Sequence, residues 1–331
     1  MAHRIGIIGL GKIAQDQHVP AIRANPAFAL VATSSTRAVT IPGVPVAHTD
    51  YHDMLAMPDL DAVAICTPPQ VRHAIARDAL LAGKHALLEK PPAATLSELA
   101  DLQRIAAAEG RVLFATWHAQ FNAGVEAART TLAGQAVKNL LVTWKEDVRR
   151  WHPGQDWIWQ AGGFGVFDPG INALSILARI LPHPIFVRRA DLQFPANKDA
   201  PIAADLEFGS DKVPGETLRA VFDWRQTGPQ TWDVAVETAG GTKLTLSGGG
   251  TRLAIDGEVV VDEPEAEYPG IYRRFGQLLD EGRSEVDETP FRHLADAFMI
   301  GRRIMVEAFE DAPAEELRTP PPSSGSGAPP R

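Results

Sequence analysis

The segment Gly9-Leu-Gly11-Lys-Ile-Ala14 lies directly behind the apolar run Arg4–Ile8 and directly before a helical stretch, which narrows the possible folds to a few. The pattern G-x-G-x-x-G/A at a strand-to-helix turn asks three things of the backbone. Gly9 permits the tight turn, Gly11 lets a pyrophosphate approach the main chain, and Ala14 keeps the helix close to the sheet. The N-terminus of that helix then offers amide donors and a positive dipole end to the phosphates. Gly9, Gly11, Lys12 and Ile13 are therefore candidate dinucleotide contacts.

The chain beyond the glycine loop has the matching rhythm. Apolar runs at Phe28–Thr33, Leu60–Cys66, His85–Leu88 and Val112–Thr116 alternate with helical stretches such as Val71–Ala82 and Thr95–Ala108. Near-continuous apolar strands separated by helices predict a parallel sheet covered on both faces. Thr95 with Glu98 reads as a capping box. After about residue 120 the rhythm changes. A helix over 122–133, a strand over Val137–Glu146 and a helix over 169–181 are followed by strand signals at 185–194, 203–208, 216–224, 231–238, 242–247 and 251–261, and a helix over 290–309 ends the series. Strands joined by Gly-rich turns predict a mostly antiparallel sheet. The expected architecture is α/β: an N-terminal Rossmann domain over residues 1–118, then an α+β domain with a mostly antiparallel sheet over 119–311. The Pro-, Ser- and Gly-rich tail 312–331 is expected to be disordered.

Charge and cysteine content bound the partners. A formal net charge of -9 argues against nucleic acid, whose phosphates demand a basic face. The only cysteine, Cys66, cannot form an intrachain disulfide, which suits a reducing cytoplasm. No apolar run reaches the roughly 18 residues of a membrane span, and the start leaves no room for a signal peptide's apolar region. No metal site is expected.

The end of the second strand bears on the choice of nicotinamide cofactor. An acidic residue there would take the ribose hydroxyls of NAD and repel a 2′-phosphate. This chain has Thr33-Ser34-Ser35-Thr36-Arg37 instead, which favours NADP over NAD, with Ser35, Thr36 and Arg37 as contacts. Thr67, Pro68 and Pro69 follow another strand on the ligand-binding edge, and His73 stands a turn into the next helix. These residues are candidate cofactor contacts too.

Two segments carry groups suited to chemistry. Glu89-Lys90-Pro91-Pro92 ends a strand on the same edge, where Lys90 can hydrogen-bond a substrate hydroxyl and place positive charge beside a developing alkoxide. Further on, Pro169 suits a first helical position, which would make Asp168 the N-cap with Asn172 one turn later on the same face. Between them, Glu146, Trp151, His152, Trp157 and Trp159 mix aromatic faces with polar groups, a combination that suits the ring and hydroxyls of a sugar.

GLGKIA, CTPP, EKPP and GGFGVFDPGIN, in this order and spacing, resemble the glucose–fructose oxidoreductase/inositol dehydrogenase family over nearly the whole chain except the last 20 or so residues. That resemblance implies a Rossmann domain binding NAD(P), a second domain whose open sheet mediates homodimers or homotetramers, and roles for Glu89 and Lys90 beside the cofactor. It maps the family's D-x-x-x-H motif onto Asp168 and Asn172. Asn172 departs from the usual histidine, and an amide does not exchange protons near neutral pH, so Asp168 or Lys90 is left as proton acceptor. The same departure, together with the run WKEDVRRWHPGQ, is similar to the family's bacterial L-arabinose/D-galactose 1-dehydrogenase branch. By that likeness the catalytic residues are Lys90, Asp168 and Asn172, while Glu146, Trp151, His152 and Trp159 contact a sugar. The implied reaction oxidises an aldopyranose at C1 to an aldonolactone. Oxidation of another ring hydroxyl, as in inositol or glucoside dehydrogenases, and a non-catalytic NAD(P)-binding sensor are the alternatives.

Overall fold

A computed structural model describes residues 2–212 and 215–310; the tail expected at 312–331 lies outside the described residues. Six parallel strands form the first sheet: β1 (His3–Ile8), β2 (Phe28–Ser34), β3 (Val46–His48), β4 (Ala62–Ile65), β5 (His85–Leu88) and β6 (Leu113–Ala115). Their order is β3-β2-β1-β4-β5-β6, with every pairing parallel. Side chains alternate between the two faces of each strand. Ile5, Ile7, Ala62 and Ala64 therefore share one buried cluster, while Ile8, Val63 and Ile65 belong to another. The helices α1 (Val19–Ala24), α2 (Tyr51–Leu55), α3 (Pro69–Leu81) and α4 (Leu96–Glu109) connect the strands. The capping box opens α4: Glu98 N–H donates to Thr95 Oγ1 at 3.2 Å, and Thr95 N–H donates to Glu98 Oε2 at 3.3 Å.

The helix α5 (Ala123–Leu132) leads into a mixed, mostly antiparallel second sheet. Its strands are β7 (Val137–Lys145), β8 (Phe186–Pro195), β9 (Ala203–Gly209), β10 (Thr217–Asp223), β11 (Thr231–Thr238), β12 (Lys243–Ser247), β13 (Arg252–Ile255), β14 (Glu258–Asp262) and β15 (Arg302–Val306), in the order β14-β13-β12-β11-β7-β10-β9-β8-β15. The short α6 (Val148–Trp151) and the long α7 (Phe167–Ile180) lie between β7 and β8; α8 (Glu267–Glu281) and α9 (Thr289–Ile300) lie between β14 and β15. One face of the sheet is apolar: Leu140, Val142, Phe222 and Val234 are buried in the same cluster as Ile171, Leu174 and Leu177 of α7. The other face carries ion pairs between neighbouring strands, such as Arg219 with Asp205 and Arg302 with Asp191.

Besides the short β3, α2 and α6, which the sequence reading does not include, three larger elements differ from the expectation. The helix expected over 290–309 stops at Ile300, and the chain resumes as β15 in parallel with β8. Gly301 allows this break, since a Cβ there would meet Ala297 O at 2.4 Å and Leu192 at 2.7 Å. The strand expected over 251–261 is a hairpin, because Asp256 (φ 50°) and Gly257 (φ 90°) adopt the two positive φ values of a tight β-turn. The helix α8, unexpected from sequence, packs on the first sheet. Tyr268, Ile271, Tyr272, Phe275 and Leu278 recur at helical spacing and join Ile5, Ile7, Phe28 and Phe114 in one buried cluster. The chain therefore returns to its N-terminal sheet after building most of the second one.

Candidate active site

The strand order reverses at β1, and the carboxyl edge of such a switch point is where open α/β sheets bind ligands. Gly9 sits there with φ of +90°, its N–H donating to Ser34 O at 2.9 Å. A Cβ on Gly9 would meet Thr67 Cγ2 at 2.9 Å, so the turn is closed to larger residues. Around Gly11, by contrast, nothing lies within 4 Å of where a Cβ would be. The Thr67 hydroxyl oxygen on the facing loop is buried and has no hydrogen-bond partner among the described residues. An open backbone cradle with an unsatisfied hydroxyl beside it fits a dinucleotide. Lys12 and Ile13 are exposed at the rim of this cradle, Lys12 in an ion pair with Asp16. At the end of β2, Ser35 is buried while Thr36 and Arg37 are exposed; Ser35 Oγ accepts the Arg37 main-chain N–H at 3.4 Å. Pro68 and Pro69 start α3. His73 faces elsewhere, toward α4, where its Nε2 meets Asp101 Oδ2 at 3.0 Å; the helix interface takes up this ring, so it does not line the cradle as expected.

Ala14–His18 form a π-helical turn. Such turns recur at functional sites. This one leads to His18, wholly buried, whose Nε2 lies 2.9 Å from Glu89 Oε1 and whose Nδ1 lies 2.7 Å from the Tyr272 hydroxyl. Tyr268 O–H also donates to Glu89 Oε1, at 2.7 Å, and the main-chain N–H of Lys90 donates to Glu89 Oε2 at 2.8 Å. Burial would raise the Glu89 pKa, but His18, His118 and Tyr268 hold it well below 4.5. Burial also disfavours charge on His18, yet Cys66, Tyr272 and Glu89 hold its pKa well above 6.5. The pair is thus an imidazolium against a carboxylate. The Glu89 carboxylate, expected to contact the cofactor, is instead occupied within this buried network. Arg72, also buried, donates to the carbonyls of Thr67, Glu89 and Pro91 and so fixes the loop that carries Lys90.

Lys90 and Asp168 meet across the two halves of the chain. Lys90 Nζ donates to the Asp168 main-chain oxygen at 2.9 Å and lies 3.2 Å from its Oδ2. Asp168 is not the helix cap expected from sequence. The backbone of Gly165–Val166 turns against Pro201, Val166 is the N-cap, and α7 begins at Phe167. The carboxylate is consequently left for Lys90 and for His152, whose Nε2 lies 3.4 Å from the same Oδ2. Burial pushes the Asp168 pKa up, but Lys90 and His152 hold it below 3.8. Asn172, one turn along α7, is partly exposed, and no hydrogen bond occupies its amide among the described residues.

A tryptophan cluster borders this pair. Glu146, at the end of β7, is buried and accepts the indole N–H groups of Trp224 at 3.1 Å and Trp232 at 2.9 Å. Burial raises its pKa to about 7, against the pull of the two indoles. Trp151 is 40% exposed and packs on Trp232 with ring centroids 5.6 Å apart. Trp159, expected to offer a stacking face, is only 5% exposed. Trp224, Phe309 and Lys198 surround its ring, so of the two it is Trp151 that presents a surface. Sequence reasoning missed His18, His118, Trp224, Trp232 and Tyr268. All five lie outside the recognised motifs. Among the described residues no group of three or more His, Cys, Asp or Glu could hold a metal ion, and no helix is long and apolar enough to cross a membrane.

Residues 3–116 match the family described as an oxidoreductase family with an NAD-binding Rossmann fold. Over 312 residues, 93% of this chain and 99% of the relative, the sequence is 45% identical to a galactose 1-dehydrogenase from Pseudomonas fluorescens. The crystal structure of a D-galactose-1-dehydrogenase protein from Rhizobium etli superposes with a TM-score of 0.88 at 55% identity, covering 93% of this chain and 98% of that one. A 3-ketoreductase from Actinomadura kijaniata, solved with NADP and TDP-benzene, shares the fold at a TM-score of 0.79 and 20% identity, over 92% of this chain and all of that one.

Proposed function

This chain belongs to the glucose–fructose oxidoreductase/inositol dehydrogenase (Gfo/Idh/MocA) oxidoreductase family, and from that premise we propose that it oxidises an aldopyranose, D-galactose or L-arabinose, at C1 to the aldonolactone. The observation that carries the reading is the buried Lys90–Asp168 contact, which sets an ammonium and an ionised carboxylate side by side on the edge that bears the glycine cradle. A nicotinamide, when bound, supplies the hydride acceptor. Asp168 takes the proton of the C1 hydroxyl, and Lys90 with Asn172 holds the C1 and C2 oxygens. Lys90 also stabilises negative charge developing on O1. Glu146 and His152 engage further hydroxyls, and the sugar ring rests against Trp151. L-arabinose and D-galactose match in configuration from C1 to C4, so the space near C5 decides between them.

Gly9, Gly11, Lys12 and Ile13 cradle the pyrophosphate, with Thr67, Pro68 and Pro69 alongside, while Ser35, Thr36 and Arg37 meet the 2′-phosphate of NADP. Removing Arg37 as Arg37→Ala is expected to raise KM for NADP on the order of tenfold, the scale of one charge-assisted contact, and to leave KM for NAD nearly unchanged. Equal changes for both cofactors would refute the phosphate role. Residues 1–118 and 119–311 act as the cofactor-binding and substrate-binding parts, and the open face of the second sheet joins copies of the chain into a homodimer or homotetramer in the cytoplasm.

The testing experiment follows absorbance at about 340 nm, where a reduced nicotinamide absorbs, with D-galactose or L-arabinose and either NADP or NAD. Reduction with an aldonolactone as product supports the proposal. A different oxidised position, identified by NMR of the product, would move the reading to the other ring hydroxyls. No reduction of either cofactor would favour a sensor.

A further inference from the structure

Oxidation of an alcohol by a nicotinamide releases one proton, and the group that accepts it must hand it on before the next turnover. If Asp168 is that group, the role proposed for it in C1 oxidation, it needs an outlet, because its side chain is only 7% exposed. Two side chains reach its Oδ2: Lys90 Nζ at 3.2 Å and His152 Nε2 at 3.4 Å. An ammonium has no lone pair with which to accept a proton, and the amide of Asn172 does not exchange one. An imidazole can both accept and release near neutral pH.

His152 also reaches water. It lies just beyond α6, with a side chain 17% exposed. Its Nδ1 faces Gln155 Oε1 at 3.5 Å. With Nδ1 turned to this amide, Nε2 is the ring nitrogen that faces Asp168. The Trp224 ring, 5.2 Å away, flanks the imidazole. Burial holds the His152 pKa below 6.5, so the ring is neutral at rest and able to accept. Of the charged groups that face it, Asp168 favours its protonation and Lys90 opposes it.

We propose that His152 is the proton outlet of this site, a relay acting through Asp168. The O–H bond of the sugar's C1 hydroxyl breaks as an O–H bond forms on Asp168 Oδ2, while the electron pair of the C1–H bond leaves as hydride, for which NAD(P)+ is the acceptor. The new O–H bond then breaks as an N–H bond forms on His152 Nε2, restoring the carboxylate and creating an imidazolium. The imidazolium releases its proton to solvent, and the site returns to its starting state.

The test compares wild type with His152→Asn, which keeps a polar group able to bind a sugar hydroxyl, and with His152→Phe, which keeps a ring against Trp224. In His152→Asn kcat is expected to fall about 10–100-fold with KM for the sugar changed by no more than about twofold; in His152→Phe, which also loses the hydroxyl contact, kcat should fall as far while KM rises, and in both added imidazole should restore turnover in proportion to its concentration. A second readout needs no turnover. In the ligand-free protein, the NMR titration of His152 should move to lower pH in Asp168→Asn than in wild type. An unchanged kcat, or a raised KM without imidazole rescue, would overturn the relay and leave His152 as a sugar contact. A wild type inactive on every aldose would instead overturn the C1-oxidation reading on which the relay rests.

Discussion

Asp168→Asn is expected to lower kcat on the order of 10²–10⁴-fold, the range assigned to a lost general base. The substitution conserves shape and leaves the main-chain oxygen that Lys90 holds at 2.9 Å, so Lys90 stays in place while the proton acceptor disappears. KM for the sugar should change far less than kcat, because Lys90, Asn172 and Trp151 still bind it. Steady-state kinetics with the sugar varied at saturating cofactor separates the two parameters. Near-normal turnover would remove the general-base role from Asp168 and transfer it to Lys90, which would then have to lose a proton first. A melting temperature close to that of wild type is the control that assigns the loss to chemistry.

Glu89→Gln is expected to cost about 3–5 kcal/mol of unfolding free energy at about pH 5.5, because removing one charge of a buried pair leaves the other uncompensated. The dependence on pH follows from the two shifts. The folded pKa of Glu89 lies below 4.5, so its contribution is present above 4.5 and is lost as the pH falls through the folded value. The folded pKa of His18 lies above 6.5, so its contribution is complete below 6.5 and is lost as the pH rises through the folded value. Both act fully only between those limits. Urea denaturation of wild type and variant at several pH values should therefore show a difference that peaks there and shrinks on either side. A difference independent of pH would mean that the substitution acts through packing and not through charge.

The sequence carried the local part of this architecture. The glycine loop follows β1 because a tight turn at positive φ has a residue signature, and Lys90 could be placed at a strand end because β5 is a short apolar run with prolines behind it. Asp168 could be named from its segment, although its partner Lys90 lies 78 positions away and only the fold brings them together. Other features had no such signature. The inward course of His18 follows from a π-helical turn, which residue types do not announce. The helix α8 accommodates Pro269 and Gly270: Pro269 falls in its first turn, and Gly270 lies where a Cβ would strike Phe121 at 2.5 Å. Glu146 was legible as a polar group among aromatics, but its indole donors, Trp224 just after β10 and Trp232 in β11, lie far along the chain.

The return of α8 to the first sheet also has a consequence for biosynthesis. The face formed by Ile5, Ile7 and Phe114 is complete only when Tyr268, Ile271, Tyr272 and Phe275 arrive. At roughly 5–20 residues per second, the ribosome reaches that segment on the order of ten seconds after it has finished β6. Until then the nascent first sheet presents an uncovered apolar surface, with His18 and Glu89 still lacking their tyrosine partners. The cofactor-binding sheet must wait for α8, translated long after β6, before it can close, which makes this interval the point at which a chaperone has most to protect.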